Sequence, residues 1–292
     1  MIINYFMNNL ETVRTEVRDN SLVIYLSREE RMNAFTLSMQ QEIVKVLDDA
    51  EQNDDIKAII FTGDGKAYCA GADLSSGGDT FDNRKGRKRT NNVVRDSGGL
   101  LTLRLFKSKK PLIAAVNGAA VGIGATMLLP MDTRICSDRA RFGFVFARRG
   151  IVPEAASSWF LPRLIGIDKA LELCYTGKVI SAEEAKEINL VSEVLPKEKL
   201  IERALEIAKE FTAESSQISI ALTRQMMWRM LGADDPMEAH KVDSRAIFEL
   251  GQSGEAVEGV TSFLEKRSPS FPGKVSKDMP SFFPWWNEKE FE

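Results

Sequence analysis

The chain has 292 residues, of which 43% are hydrophobic and 28% are charged, and these fractions are typical of globular proteins. No apolar run approaches the roughly 20 residues that a membrane-spanning helix needs, so we expect no membrane segment. The formal net charge of −3 argues against a general affinity for nucleic acid. Residues 1–17 lack the basic head and apolar core of a secretory signal, so we expect a cytoplasmic location.

The first predicted elements are a β-hairpin, a helix and a further strand. VRTEV and SLVIYL in residues 11–26 alternate like paired strands around an Asp-Asn turn signal. Apolar residues then recur at helical spacing: Phe35, Met39, Ile43, Val46 and Leu47. Either Asn33 or Thr36 is expected to cap this helix. Residues 57–62 resemble a buried strand, and the strand–helix–strand order predicts parallel pairing with a right-handed crossover.

Two glycine corners follow apolar strands. The strand at 57–62 leads through a glycine turn into Gly-Ala-Asp at 71–73, and the apolar run 112–116 leads into a corner with Gly122 and Gly124. A strand that feeds glycines at the start of a helix leaves unpaired N–H groups, which favour a developing oxyanion. Glycines in such turns can also serve only tight packing. The pair of corners favours a site with two N–H donors, and GAAVGIG matches neither a phosphate loop nor a dinucleotide motif.

The residues between the corners, and the few cysteine and histidine residues, give weaker signals. Residues 75–92 are expected to form a polar surface loop, whose basic cluster is either solvated or contacts a phosphorylated ligand: Arg84, Lys85, Arg87, Lys88 and Arg89. Cys69, Cys136 and Cys174 form neither a disulfide framework nor a zinc pattern, and Cys69 is expected to be a packing residue rather than a nucleophile. His240 is expected to be structural or at the surface. We expect no metal and no cofactor.

The second half changes from mixed α/β to all-α near residue 200. TRICSD and the start of RFGFVF read as short strands, and Ser181 with Glu184 forms a capping box that opens a helix. Three helical patterns follow, at 197–213, 216–231 and 235–266. The proline- and aromatic-rich residues 271–286 are expected to cover an apolar surface.

Four motifs resemble the enoyl-CoA hydratase/isomerase, or crotonase, superfamily over residues 11–271. They are RMNAF at 31–35, AYCAGADL at 67–74, AAVNGAAVGIGATM at 114–127 and FLEKRSPSF at 263–271. The resemblance implies an α/β fold, a crotonase-like spiral of ββα units with a C-terminal helical trimerisation region. We therefore expect a core at 1–200, a trimerisation region at 201–270 and a tail at 271–292. The resemblance also implies a homotrimer or a hexamer built as a dimer of trimers.

The resemblance assigns roles to both corners. Members of the family bind acyl-CoA thioesters and stabilise a thioester enolate with two backbone N–H groups, which are matched here by Ala72 and Ile123. Ala70 resembles the residue whose backbone meets the adenine end of CoA, and Phe263 and Lys266 resemble residues that close over CoA, including CoA bound to a neighbouring subunit. The implied substrate-binding residues are Ala34, Ala70, Asp73, Leu74, Gly122, Phe146, Phe263 and Lys266.

The chain departs from the pattern of the hydratases in this family. Their two water-flanking glutamates are matched by Thr126 and Phe146, and neither side chain can act as a carboxylate. Glu154 resembles the single carboxylate of isomerases that move a double bond from the 3- to the 2-position. Apolar neighbours, Phe146 and Trp159 among them, are expected to raise the pKa of Glu154. The alternative is that Glu154 caps the following helix as a first-turn acid.

The expected function is therefore isomerisation of an enoyl-CoA by Glu154. The alternatives are hydration by a one-carboxylate route, another crotonase-type lyase or hydrolase reaction, and a non-catalytic protein that binds acyl-CoA or RNA. The sequence leaves open the length and branching of the acyl group and the choice between trimer and hexamer.

Overall fold

Six strands form the larger of two β-sheets in the computed structural model, which describes residues 10–82 and 93–291. The predicted basic cluster of residues 84–89 lies outside the described residues. The strands of the larger sheet, in spatial order, are β1 (Val13–Arg18), β2 (Ser21–Leu26), β3 (Ala58–Gly63), β5 (Leu112–Val116), β7 (Thr133–Ser137) and β10 (Glu193–Leu195). The β1–β2 hairpin is antiparallel and β2 pairs in parallel with β3, as predicted.

Four short strands form the second sheet. In spatial order they are β4 (Ala67–Cys69), β6 (Ala119–Val121), β8 (Arg141–Gly143) and β9 (Val179–Ser181). The consecutive pairs β3–β4, β5–β6 and β7–β8 each give one strand to the larger sheet and one to the smaller. This alternation is the repeating unit of the predicted spiral.

The helices follow these strand pairs and then form the C-terminal part of the chain. They are α1 (Leu37–Gln52), α2 (Ser97–Phe106), α3 (Ile123–Thr126), α4 (Ser157–Ile165), α5 (Ile167–Thr176), α6 (Ala182–Glu187), α7 (Leu200–Thr212), α8 (Gln217–Met230), α9 (Pro236–Gly251) and α10 (Gly254–Glu265). In the part of the chain that the structure describes, no helix has both the length and the apolar character needed to cross a membrane.

Helix caps decide two of the predictions made from sequence. Thr36 caps α1, because its hydroxyl accepts a hydrogen bond from the Met39 N–H at 3.2 Å. Asn33 instead donates to two backbone carbonyls from the buried interior of the corner that precedes α1. The capping box of Ser181 and Glu184 is confirmed. The single helix predicted over 235–266 is wrong, because the chain ends α9 and starts α10 with a new N-cap, Ser253.

The two faces of the larger sheet bury different sets of side chains. Because successive side chains of a strand point to opposite faces, Ile60 and Ile113 pack against Ala204 and Ile207 of α7 on one side. Phe61 and the other residues of alternate register join a larger cluster on the opposite side, together with the second sheet and α1 to α6. Sheet and helices therefore hold the ends of β4 and β6 in a rigid frame.

The tail packs on the C-terminal helices, as predicted. Val275 and Phe282 are buried in a cluster with Leu222 of α8 and Val242 of α9. The Ser276 N–H and hydroxyl both donate to the carboxylate of Asp54, which joins the tail to the residues that follow α1. Farther along, the guanidinium of Arg229 lies 3.2 Å above the ring centroid of Trp286. Apolar burial and cation–π contact together fix a segment that has no regular secondary structure.

Candidate active site

The two glycine corners lie side by side. β4 and β6 are parallel neighbours, with Ala67 opposite Ala119, and each corner begins where one of these strands ends. A Cβ atom on Gly122 would lie 3.8 Å from the Cα of Gly71. Gly122 has a φ of +55°, a conformation that strongly favours glycine, and it is the N-cap of α3. The structure thus brings together two corners that are about fifty residues apart in sequence.

Each corner leaves one backbone N–H without an acceptor. Phe35 donates its N–H to the carbonyl of Gly71 at 2.8 Å and accepts from the N–H of Asp73 at 3.0 Å, so the Ala72 N–H between them points away from Phe35. Ile123 is the first residue of α3, and its N–H has no acceptor within the helix. Over residues 10–82 and 93–291, neither the Ala72 nor the Ile123 N–H donates a hydrogen bond.

A cavity of ≈ 560 Å³ lies against both corners. The predicted site residues that line it are Ala70, Ala72, Asp73, Leu74, Gly122, Ile123, Phe146 and Glu154. The described residues of its lining do not include Ala34, Phe263 or Lys266. Ala34 directly precedes Phe35, which lines the cavity, while Phe263 lies exposed on α10 and Lys266 ends that helix. The chain therefore brings most of the predicted residues together by itself.

Asp73 is held by an ion pair on the wall of this cavity. Its carboxylate accepts from Arg28 Nη2 at 2.8 Å and from the Ser75 N–H at 3.0 Å. The hydrogen bond from Arg28 is the main cause that lowers the pKa of Asp73 to about 2. Arg28 also donates to the carbonyl of Ala34, so one guanidinium joins the RMNAF segment to the first corner. This pair holds the residue that follows Ala72, while the Phe35 N–H holds the carbonyl of Gly71, which precedes it.

Glu154 is the partly buried carboxyl group of the cavity. Thr126 Oγ1 donates a hydrogen bond to Glu154 Oε1 at 2.6 Å. Burial raises the pKa of Glu154 to about 8, with Asp96 as the next cause, while the Thr126 hydrogen bond acts in the opposite direction. The capping alternative is wrong, because α4 begins after Ala156 without a side-chain cap and only the backbone carbonyl of Glu154 accepts from Ser157.

Asp96 is a site residue that no sequence pattern singled out. It is the N-cap of α2, where its Oδ1 accepts from the Gly98 N–H at 3.0 Å and its Oδ2 from the Gly99 N–H at 2.7 Å. Oδ2 also accepts from the Ala155 N–H at 2.8 Å, which joins α2 to the residue after Glu154. The signal that could have found it is an Asp before a helix start, the strongest type of N-cap.

Gly98 lets the carboxyl of Glu154 approach α2. A Cβ atom on Gly98 would lie 2.1 Å from Glu154 Oε2 and 2.6 Å from Ile123 Cδ1, both far inside contact distance. Any larger residue here would displace the carboxyl, the side chain of Ile123 or the helix. Glu154 and the second corner therefore meet at one point of the cavity wall.

The remaining sequence candidates have structural roles or lie elsewhere. Cys69 is fully buried, and burial raises the pKa of its thiol to about 12, so it packs as an inert side chain, as expected. Trp159 packs edge-on against Phe106 and Phe160, and the described lining of the cavity contains Phe146 without Trp159. His240 is exposed on α9. Within the described ranges, no group of His, Cys, Asp or Glu side chains has the arrangement of a metal site.

The spiral of paired strands holds in one cavity a carboxyl of raised pKa and two backbone N–H groups that donate no hydrogen bond within the described residues. Such an arrangement can stabilise an oxyanion and move a proton, and it does not by itself define one reaction. Residues 16–274 match the family model described as enoyl-CoA hydratase/isomerase. The chain belongs to this family, and its crotonase-like fold is confirmed. The part of the tail beyond residue 274 lies outside the match.

Individual relatives carry two kinds of name. The chain is 42% identical over 254 residues to the enoyl-CoA hydratase ACTT3 of Alternaria alternata, covering 87% of this chain and 83% of that protein. It is 32% identical over 271 residues to the 1,2-epoxyphenylacetyl-CoA isomerase of Escherichia coli K12, covering 91% of this chain and 100% of that protein. The crystal structure of an enoyl-CoA hydratase from Bacillus anthracis superposes with a TM-score of 0.79 at 31% identity, covering 90% of this chain and 100% of the other.

Proposed function

We propose that this member of the family isomerises the double bond of an enoyl-CoA thioester. Glu154 moves the proton, and the amides of Ala72 and Ile123 form the oxyanion hole. The proposal depends on one observation: the Glu154 carboxyl lines the same cavity as two backbone N–H groups that have no acceptor in the described chain. The positions that match the two glutamates of hydration hold Thr126 and Phe146 instead.

The reaction needs one base and one anion site. Ionised Glu154 removes a proton from C2 of a 3-enoyl thioester, and the electron pair moves toward the thioester oxygen to give a dienolate. The Ala72 and Ile123 N–H groups stabilise that oxygen, which in comparable sites is worth about 3 kcal/mol per donor. Protonated Glu154 then returns the proton at C4, and the double bond lies between C2 and C3. Because every step is a proton transfer, we propose that no cofactor takes part.

The pKa of Glu154 sets the pH dependence of the conversion of the 3-enoyl to the 2-enoyl thioester. With a pKa of about 8, most of Glu154 is protonated at neutral pH, and the basic form increases as pH rises. We therefore expect kcat/KM for the 3-enoyl thioester to rise with pH and to level off at pH values above this pKa. The apolar side chains of Phe146 and Ile151 in the cavity wall favour both the raised pKa and a dry reaction site.

Hydration by one carboxylate is the second candidate, and the hydratase names of relatives favour it. Protonated Glu154 would give its proton to C2 while water adds at C3, and the proton released by that water would return to Glu154. This route uses the same oxyanion hole and begins from the protonated form of Glu154. We expect it to slow as pH rises through about 8, the reverse of the isomerisation.

Assembly is a further part of the proposal. α9 and α10 expose neighbouring apolar side chains, which are Ile247, Phe248, Val257, Val260, Phe263 and Leu264. Exposed apolar patches of this kind mark interaction surfaces, which supports a trimer or hexamer. In such an assembly Phe263 and Lys266 close over the CoA of a neighbouring subunit, because the described lining of the cavity within one chain does not include them.

The test compares Glu154→Gln with the wild type on a 3-enoyl-CoA and a 2-enoyl-CoA, with products identified by mass spectrometry. Loss of the only proton carrier is expected to lower the rate by about 10²- to 10⁴-fold. Glu172→Gln, which changes an exposed carboxylate paired with Lys169 on α5, serves as the matched control and is expected to keep wild-type rates. Full activity of Glu154→Gln in both assays would contradict the proposal. A product that gains the mass of water identifies the hydratase instead.

A further inference from the structure

Asp96 faces the proposed catalytic carboxyl, and the proposed reaction does not use it. We propose that Asp96 is a positioning residue, which holds Glu154 in place and favours its protonated form without exchanging protons with the substrate. This inference depends on Glu154 being the proton carrier of the proposed function. It adds Asp96 as a residue that determines the protonation state of Glu154 before the substrate binds.

Backbone N–H groups take up most of the hydrogen-bonding capacity of Asp96. A carboxylate has about four acceptor positions on its two oxygens. Three are taken by the backbone N–H groups of Gly98, Gly99 and Ala155. Asp96 lines the same cavity as Glu154, and its charge is the next cause, after burial, that raises the pKa of Glu154. Asp96 is therefore placed to hold the backbone beside Glu154 and to oppose the ionisation of that carboxyl.

α2 also holds the backbone next to Glu154 from two sides. The Ala155 N–H donates to Asp96, and the Ala155 carbonyl accepts from the hydroxyl of Thr102 at 2.8 Å. Ala155 and Ala156 have φ values of +59° and +52°, a left-handed conformation that is unfavourable for residues with a Cβ. Strained backbone of this kind persists where neighbours hold it. The hydrogen bonds of Asp96 and Thr102 to Ala155 therefore fix the direction of the Glu154 side chain.

Few other charged or titratable groups face Glu154. Thr126 on α3 donates to it, the buried thiol of Cys69 on β4 lies within electrostatic range, and Asp96 approaches from the start of α2. The other charged residues in the described cavity wall are Asp73, which is paired with Arg28, and Arg149. Two carboxyl groups that share one site cannot both ionise readily, so Asp96 delays the ionisation of Glu154.

Asp96→Asn is the variant that separates charge from shape. Asn is as good an N-cap as Asp and removes the negative charge, and its single oxygen can still accept from Gly99 and Ala155 while its NH2 group takes the place of the oxygen that accepts from Gly98. We expect the midpoint of the curve of kcat/KM against pH to move to lower pH. The ratio of kcat/KM at about pH 6 to kcat/KM at about pH 9 is then expected to rise roughly tenfold. Asp48→Asn, which removes the partner of Arg104 near the other end of α2, is the matched control and is expected to leave the curve unchanged.

A second measurement does not depend on the reaction. Carbon-13 NMR of the labelled glutamate carboxyls, with the Glu154 signal assigned as the one missing in Glu154→Gln, gives the titration midpoint of Glu154 in substrate-free enzyme. A lower midpoint in Asp96→Asn supports the coupling of the two carboxyl groups whatever the assays of Glu154→Gln show, so failure of the inference can be told apart from failure of the proposed function. Asp96→Ser, also neutral and a good N-cap, replaces Asp96→Asn if that variant does not fold. An unchanged midpoint would overturn the inference. So would a midpoint that moves to higher pH, because Asp96 would then favour the ionised form of Glu154.

Discussion

Arg224 on α8 and Glu154 before α4 are both enclosed by the fold, but their partners differ. All five guanidinium donors of Arg224 are used: Nε donates to Asp132 at 2.8 Å, and the other nitrogens donate to backbone carbonyls. These carbonyls belong to Leu105, Phe106, Ser108 and Pro130. Asp132 balances the charge and also accepts from Trp228. The charge of Arg224 is paired and all its donors are bonded. Arg224 therefore joins α8 to the C-terminal end of α2 and to the segment before β7.

Glu154 lacks such a set of partners. It receives one hydroxyl donor, from Thr126, and faces Asp96, a carboxylate of the same sign. A pKa of about 8 against the ordinary 4.5 corresponds to a cost of about 5 kcal/mol for ionising Glu154 in the folded state. The stability that comes with the protonated form is complete below about pH 4.5 and is lost as pH rises through about 8. A buried charge with a full set of hydrogen-bond and charge partners contributes to stability. A buried ionisable group without such partners is typical of a site where a proton is transferred.

Arg224→Met is expected to have the largest effect, and it tests whether Arg224 contributes to stability rather than to activity. It leaves Asp132 without its cation, and loss of one partner of a buried ion pair typically costs about 3–5 kcal/mol. We expect that loss in the free energy of unfolding, measured in urea, with kcat of the folded enzyme retained within about threefold. Lys241→Met removes an exposed partner of Glu238 and is expected to cost less than about 1 kcal/mol. A loss below about 1 kcal/mol for Arg224→Met would show that this network does not fasten α8.

Gly98→Ala tests the other site by moving the carboxyl without changing its chemistry. The new methyl group would collide with Glu154 Oε2 and Ile123 Cδ1. Because displacements of about 1 Å can cost a factor of about a hundred in rate, we expect kcat to fall by roughly 10- to 100-fold. Gly251→Ala adds a methyl group into open space at the end of α9 and serves as the control. Unchanged kcat in Gly98→Ala would mean that the position of Glu154 is not important for the reaction.

Local signals explain why much of the fold was predictable. The β1–β2 hairpin, the Thr36 cap and the capping box of Ser181 are encoded within a few consecutive residues. α2 was missed although Asp96 is a good N-cap, because its first turn contains Gly98 and Gly99, which are poor helix formers. The Asp96 cap and the burial of Leu101 and Leu105 compensate. The break between α9 and α10 was missed because both helices present apolar residues at helical spacing up to the new N-cap.

The candidate site was also only partly predictable from the sequence. The two corners were visible because each carries its own strand and glycines, and their neighbouring places follow from the β4–β6 pairing. The partners of Glu154 were not visible. Thr126 lies 28 residues away and Asp96 bonds to a residue 59 positions from it, and nothing in a single sequence reports such contacts. The raised pKa was predicted correctly from apolar surroundings, but the contribution of a like charge required the fold.

Thr126→Val gives the smallest and most specific test, because it removes only the donor that opposes Asp96. The Thr126 hydrogen bond favours the ionised form of Glu154, so its loss is expected to raise the pKa of Glu154 further above its ordinary value. The midpoint of the curve of kcat/KM against pH should then move to higher pH, opposite to Asp96→Asn, and kcat/KM at neutral pH should fall by roughly 3- to 10-fold. Thr212→Val is the control, since Thr212 is a buried threonine that bonds within α7. A midpoint that moves to lower pH would mean that the hydroxyl accepts a hydrogen bond from protonated Glu154 rather than donating one. Thr126 would then stabilise the protonated form together with Asp96, and the carboxyl would have no partner that favours its charge.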